Sequence, residues 1–300
     1  MSLNLITMKK LKIYTIIAIS LFLVSCAPSS KEQTAPVIIT SISVYQDLIQ
    51  NIVGNGIEVR TLVSGMENPH TFDFSGSKAK VLEDAKLIVF NGMGLESWAE
   101  QVKQNTDRKK TQYLSIADSL IDSPLLRHTG NPHIWMDPRI AAEAVKVILP
   151  AVIKLEPDSA AVYQKRANNY IEQLDTLYQE VHYKLQPLKN KKVIAQTPGL
   201  DYFFSAFDID RVAVIVTNPG TDPSAKRMTT LIDQTKSEDV IAIVRLPQFS
   251  KTLPETLQKE SKVPLVLMSP LITGAPNVDT YIDLIWYNAD QLSAAVLPKL

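Results

Sequence analysis

Cysteine is nearly absent from this chain. One residue, Cys26, occurs in 300, which leaves no intramolecular disulfide, no zinc ribbon and no catalytic thiol to consider. Histidine is almost as sparse, with 4 residues. Net charge is missing too, because Lys plus Arg and Asp plus Glu number 31 each. That balance offers no overall field for nucleic acid or for an anionic membrane surface. Several catalytic signatures are also lacking. There is no G-x-S-x-G elbow, no H-E-x-x-H and no glycine-rich phosphate loop. A hydrolytic metal site would need a bound water and a general base, and no residue is nominated for that role. The sequence therefore reads as a non-enzyme.

What is present describes a globular protein. The hydrophobic fraction is 45% and the charged fraction 21%, and the length suits one large domain or two of ordinary size. The first residues read as a targeting segment. Lys9, Lys10 and Lys12 precede an apolar run, Ile13 to Val24, that is too short to span a bilayer comfortably. Met8 opens such a segment as naturally as Met1 does. The run ends in Leu23-Val24-Ser25-Cys26, which resembles a bacterial lipoprotein signal. That resemblance implies cleavage before Cys26 and a lipid on its thiol. Residues 1–26 are then leader and anchor point. The polar, Pro-bounded stretch 27–36 (APSSKEQTAP) is a flexible tether. The expected location is the cell envelope, lipid-anchored to a membrane outside the cytoplasm, either periplasmic or at the cell surface.

Beyond the tether, short β-branched runs alternate with helical patterns. Strands are predicted at 37–42, 57–63, 86–90 and 112–116, with helices at 45–53, 74–83 and 95–106 between them. The second half repeats the scheme. Strands are predicted at 193–197, 211–216, 240–245 and 263–268, and helices at 201–207, 224–236, 253–260 and 280–295. Apolar strands alternating with helices imply parallel sheets covered on both faces. The fold class is α/β, with two lobes joined by one long linking helix. The N-terminal lobe spans 37–156, the linker 157–188 and the C-terminal lobe 189–300.

The linker is read from its apolar spacing. Tyr163, Ala167, Tyr170, Leu174, Leu177, Val181, Leu185 and Leu188 recur in steps of three and four. Pro157 and Asp158 suit its start and Pro187 its end. About 30 residues at 1.5 Å per residue make a rod of roughly 45 Å. One stripe on such a rod lies along both lobes of a monomer, with a coiled-coil dimer as the alternative. Pro150 should kink or break the preceding helix, 139–155.

One tripeptide occurs twice, as Asn68-Pro69-His70 and Asn131-Pro132-His133. Proline fixes its own φ and extends the residue before it, so each His leaves a stiff corner in a reproducible direction. In parallel α/β lobes, ligands bind beyond the carboxyl ends of the strands. Both corners follow strand-type segments or their loops. Two imidazoles placed there are the start of a transition-metal site.

The surrounding motifs resemble the metal-binding solute-binding lipoproteins of ABC importers, the zinc and manganese group. The likeness is carried by Asn68–Phe72, by Asn91-Gly92-Met93-Gly94-Leu95-Glu96-Ser97-Trp98 and by Asn131–Pro138. It continues through Asp222–Ala225, Pro247-Gln248-Phe249 and Tyr281–Leu292. It covers roughly 37–296. It implies two lobes bridged by a helix, a divalent metal as transported ligand, an ABC permease as partner, and His70 and His133 as metal ligands.

The likeness fails on the opposite wall. Thr197 stands where the family supplies His or Glu, Ser269 where it supplies Asp, and Leu246 where many members carry Glu. Neutral hydroxyls are poor partners for Zn²⁺ or Mn²⁺ beside imidazole. Asp201 or Gln196 could supply an oxygen near Thr197. His128 and Glu67 are the other candidate substitutes. Each has a plainer reading: Asp201 as a helix cap, His128 and Glu67 as solvated loop residues. Asp137 before Pro138 reads as an N-cap. His182 on the rod reads as structural, and Trp98 and Trp135 as packing. The leading expectation is a solute-binding lipoprotein for zinc or manganese. The alternatives are the same fold holding a metal chelate or small polar solute, or a surface adhesin with a vestigial metal site.

Overall fold

The computed structural model describes residues 36–107, 109–127, 130–217 and 223–297. The leader, Cys26, the tether up to residue 35, His128 and Asp222 lie outside the described residues.

The N-terminal lobe begins with β1 (Val37–Ile42), every residue of which is buried. It is followed by α1 (Ser43–Val53), β2 (Glu58–Val63), a 3₁₀ helix (Gly76–Leu82) and β3 (Ala85–Phe90). Then come α2 (Ala99–Gln104), β4 (Gln112–Ser115), α3 (Ile116–Ser119) and α4 (Pro138–Leu155). The linking helix α5 (Ala160–Leu185) carries short 3₁₀ turns at both ends, Pro157–Ser159 and Gln186–Leu188. The C-terminal lobe contains β5 (Lys192–Ala195), α6 (Asp201–Ala206), β6 (Asp210–Val214) and α7 (Ala225–Ser237). It closes with β7 (Val240–Arg245), α8 (Thr252–Ser261), β8 (Leu265–Leu267) and α9 (Tyr281–Val296).

Each lobe holds a four-stranded sheet, ordered β2-β1-β3-β4 in the first and β6-β5-β7-β8 in the second. All pairings are parallel, with Ile39 opposite Arg60 and Ile88, and Ile194 opposite Ala213 and Ile243. The chain runs outward from β1 in one direction to β2 and in the other to β3, and it does the same about β5. Such reversals open a crevice beyond the carboxyl ends of the strands. The two crevices supply the walls of the cleft.

The stripe on α5 is buried from Tyr163 to Leu188, at every position read from the sequence. It packs on α1, α4 and α9 of the same chain, so it is not available as a coiled-coil seam. One continuous apolar core runs through both lobes along this helix, and a smaller cluster around Ile194, Ile243 and Leu257 covers the other face of the second sheet. Polar bonds join the lobes as well. Trp135 Nε1 donates to the Pro270 carbonyl (2.6 Å), and the Tyr281 hydroxyl donates to the Trp135 carbonyl (2.7 Å). Gln248 Nε2 donates to the Gly65 carbonyl (2.6 Å). Gly65 can only be glycine, since a Cβ there would collide with the backbone of Ile272 and Thr273.

Three elements differ from the sequence reading. The α4 helix runs unbroken past Pro150. Pro150 and Lys146 are both exposed, so the carbonyl that loses its donor lies on the solvent face, where water can serve it. The helix expected at 74–83 is a 3₁₀ segment. The helix expected at 95–106 starts only at Ala99, because Glu96 turns back to accept from the N–H groups of Asn91 (2.7 Å) and Gly92 (3.0 Å). Among the described residues, no helix is long and apolar enough to cross a membrane.

Candidate metal centre

The two Asn-Pro-His corners share one local geometry. Asn68 Oδ1 accepts from the His70 N–H (3.0 Å), and Asn131 Oδ1 accepts from the His133 N–H (3.0 Å). These are Asx turns, in which the side chain replaces a backbone turn bond and the following proline fixes φ. Each corner is then braced from outside. Trp98 Nε1 donates to the Pro69 carbonyl (2.8 Å), and Asn91 Nδ2 donates to the Pro132 carbonyl (2.9 Å). Asn91 itself is held by the Tyr45 hydroxyl (2.6 Å) and by the Glu96 carboxylate on its N–H.

The braced corners bring His70 Nε2 and His133 Nε2 to 3.4 Å, which is long for a hydrogen bond. It agrees with a shared ion instead. Two nitrogens about 2.05 Å from one tetrahedral Zn²⁺ stand roughly 3.3 Å apart. The tautomer suits this role. Asn131 uses Nδ2 to donate to the Pro198 carbonyl (2.8 Å), so its Oδ1 is the end facing His133 Nδ1 (2.7 Å). His133 Nδ1 must therefore carry the proton, leaving a lone pair on Nε2. Desolvation of the ring, with His70 beside it, pushes the His133 pKa down to about 3. Desolvation lowers His70 too. Both imidazoles are neutral at neutral pH, the form that ligates.

The cleft around them has a volume of about 520 Å³. Trp135, Leu246, Phe249 and Leu271 give it apolar walls, and Thr197, Asp201, Arg211, Thr217 and Gln248 are its polar contributors from the second lobe. Thr197 and His133 both border Gly199: the position a Cβ would take there is 3.4 Å from Thr197 Oγ1 and 3.7 Å from His133 Nε2. The Thr197 hydroxyl caps the 3₁₀ turn at Pro198–Leu200, accepting from the Gly199 N–H (3.3 Å).

Comparison with known proteins places the chain. Residues 38–295 match the family described as ZnuA, zinc-uptake complex component A, periplasmic. The chain belongs to this family. A manganese-binding lipoprotein MntA of Halalkalibacterium halodurans is 25% identical over 287 residues, covering 92% of this chain and 95% of that one. The crystal structure of ZnuA superposes with a TM-score of 0.77 at 24% identity, over 87% of this chain and 99% of that one. The solute-binding protein FpvC of Pseudomonas aeruginosa, in complex with Mn²⁺, gives 0.76 at 26% identity, over 87% and 98%.

Ser269 is fully buried and does not border the cleft. Its hydroxyl donates to the Leu271 carbonyl (2.8 Å), and Asn288 brackets its N–H and carbonyl (2.8 Å each). Pro270 and Leu271 form the wall there instead. Gln196 is also committed, donating to the Ser250 carbonyl (2.7 Å) and accepting from the Leu246 N–H (2.9 Å). Glu67 lies off the cleft, accepting from the Ser64 N–H (2.9 Å) and pairing with Lys78 (3.3 Å). These bonds, outweighing desolvation, hold its pKa below the usual range. Asp201 borders the cleft but is not a helix cap. Both its oxygens are taken by the Arg211 guanidinium, through Nε and through Nη2 (2.8 Å). Asp137 caps α4, accepting from the Arg139 N–H (2.9 Å). His182 is on α5 beside Asp208 (3.5 Å), and it does not border the cleft.

Among the described residues, no three His, Cys, Asp or Glu side chains converge as a metal-binding group. The sequence reading missed Arg211, because its partner is ten residues away across a helix-to-strand turn and no spacing rule joins them. It also gave no role to Gln248, whose Oε1 is buried without a hydrogen-bond partner.

Proposed function

We propose that this protein is the solute-binding lipoprotein of an ABC importer. It holds a divalent transition metal, zinc or manganese, in the inter-lobe cleft on His70 and His133. The observation that carries this reading is the 3.4 Å approach of two neutral, separately braced imidazole Nε2 atoms, at the separation one ion requires. Family membership supports metal uptake as the process. A zinc-uptake family and a manganese-binding relative make those two ions the first candidates.

The protein is not an enzyme. It delivers its metal as a monomer to a membrane permease, anchored through lipid on Cys26 outside the cytoplasm. Thr197 borders the cleft with its hydroxyl committed to the Pro198–Leu200 turn, and neither it nor Ser269 takes part in ligation. Asp201 is the one carboxylate bordering the cleft among the described residues, and its bond to Arg211 withholds it from the metal. Water or other small oxygen ligands complete the coordination.

Calorimetric titration of the purified protein with Zn²⁺ and Mn²⁺, and then with Fe²⁺, Cu²⁺ and Ni²⁺, tests this. Binding tighter than about millimolar by at least one ion, lost in the His70→Ala/His133→Ala double variant, is expected. Equal binding by the double variant would move the site elsewhere.

A further inference from the structure

The cleft offers two metal ligands but no charge to match a dication. This inference rests on the reading of His70 and His133 given above. The charged side chains bordering the cleft among the described residues are Asp201 and Arg211, and they neutralise each other. A bare Zn²⁺ on two neutral imidazoles would carry its whole charge into a cavity walled by Trp135, Leu246, Phe249 and Leu271. Burial of an ion without a counter-charge is costly. Freeing Asp201 for the metal does not help, because it leaves the Arg211 cation unpaired beside the same ion.

Size points the same way. About 520 Å³ is far more than an ion and its few remaining ligands fill, since one water takes about 30 Å³. It falls within the range of small-molecule pockets, roughly 300–1,000 Å³. The polar groups on the far wall suit an anionic oxygen ligand. Asp201 engages Arg211 through Nε and Nη2, and a guanidinium has five N–H donors, so three remain. Gln248 adds an amide on the same wall, its Oε1 buried without a hydrogen-bond partner.

We propose that the cleft takes its divalent metal as a neutral complex with a small dicarboxylate chelator, the metal on His70 and His133 and a chelator carboxylate on Arg211. The chelator supplies both the missing oxygen ligands and the two negative charges. Arg211 is the specificity residue, because its guanidinium meets a carboxylate with directed N–H groups.

The test compares Zn²⁺ alone, a preformed 1:1 Zn²⁺–iminodiacetate complex and iminodiacetate alone by calorimetry on the purified protein. Iminodiacetate, bound to the metal, is a tridentate dianion that leaves positions for two imidazoles. A site for bare ion must weaken when a chelator competes in solution, whereas a site for the complex must tighten. The complex is expected to bind at least tenfold more tightly than Zn²⁺ alone, and free iminodiacetate not to bind. Arg211→Gln should lose that gain. Asp201→Asn, which frees Arg211, should keep or enlarge it, and it carries the test if Arg211→Gln fails to fold by circular dichroism. Tighter binding of Zn²⁺ alone overturns the chelate proposal and leaves the metal site standing. So does a gain that survives in Arg211→Gln. Binding of iminodiacetate as tight as its complex overturns it in favour of a metal-free solute. Absence of zinc binding in either form overturns the metal reading itself.

Discussion

The Asn131 side chain makes three bonds. Its oxygen accepts from the His133 N–H and from His133 Nδ1, and its amide donates to the Pro198 carbonyl of the other lobe. One residue thus sets the corner, the tautomer and the opposing wall. Partners of this kind typically control metal affinity by about 10–100-fold. Asn131→Ala should weaken metal binding by that factor while leaving the fold intact, measured by competition with a chromophoric chelator. Asn131→Asp, which accepts the Nδ1–H more strongly, should retain or improve on wild-type affinity. The repeated Asn-Pro-His tripeptide made these corners readable in sequence, because the Asx turn and the proline act within three residues. The same logic explains what was not readable. The Asp201–Arg211 pair, the inward turn of Ser269 and the lone Gln248 oxygen arise from contacts between segments distant in the chain, and no local rule encodes them.

Among the elements, α1 is the hub between the linker and the closing helix. Asp47 on α1 accepts from the Tyr170 hydroxyl on α5 (2.9 Å) and from the Tyr281 N–H at the start of α9 (3.1 Å), both on one oxygen. Desolvation raises its pKa, Asp283 adds to the rise, and the two hydrogen bonds oppose it. A carboxyl with a raised folded pKa holds its proton longer in the folded state than in the unfolded one. Its contribution to stability is complete below the unfolded pKa, near 4, and is lost as pH rises through the folded value. Asp47→Asn keeps an oxygen for both bonds and removes the titration. Urea unfolding of wild type should therefore lose stability relative to Asp47→Asn as pH rises above about 4. The slope difference should be at most about 1.4 kcal/mol per pH unit, the value for one proton. Parallel curves would show that Asp47 titrates alike in both states. The periodic stripe of α5 was fully legible, since each apolar position is buried. The effect of Pro150 was not, because it depends on which face of α4 meets solvent.

For the whole molecule, the continuous core along α5 and the bonds from Trp135, Tyr281 and Gln248 join the two lobes. Strand–helix alternation was enough to read two parallel α/β lobes, and the carboxyl-end rule was enough to locate the cleft. The chemistry of the cleft follows from what its second wall supplies, which is two threonine hydroxyls, a closed ion pair and an amide rather than a free carboxylate. On the proposed reading, the metal rests on two imidazoles and otherwise on small oxygen or nitrogen ligands that are not protein side chains. X-ray absorption at the zinc edge, on the zinc-loaded protein, addresses this directly. Two imidazoles at about 2.0 Å with light-atom ligands completing the shell are expected, with loss of the imidazole signal in His70→Ala/His133→Ala. A shell with three or more imidazoles, or one unchanged in the double variant, would contradict it.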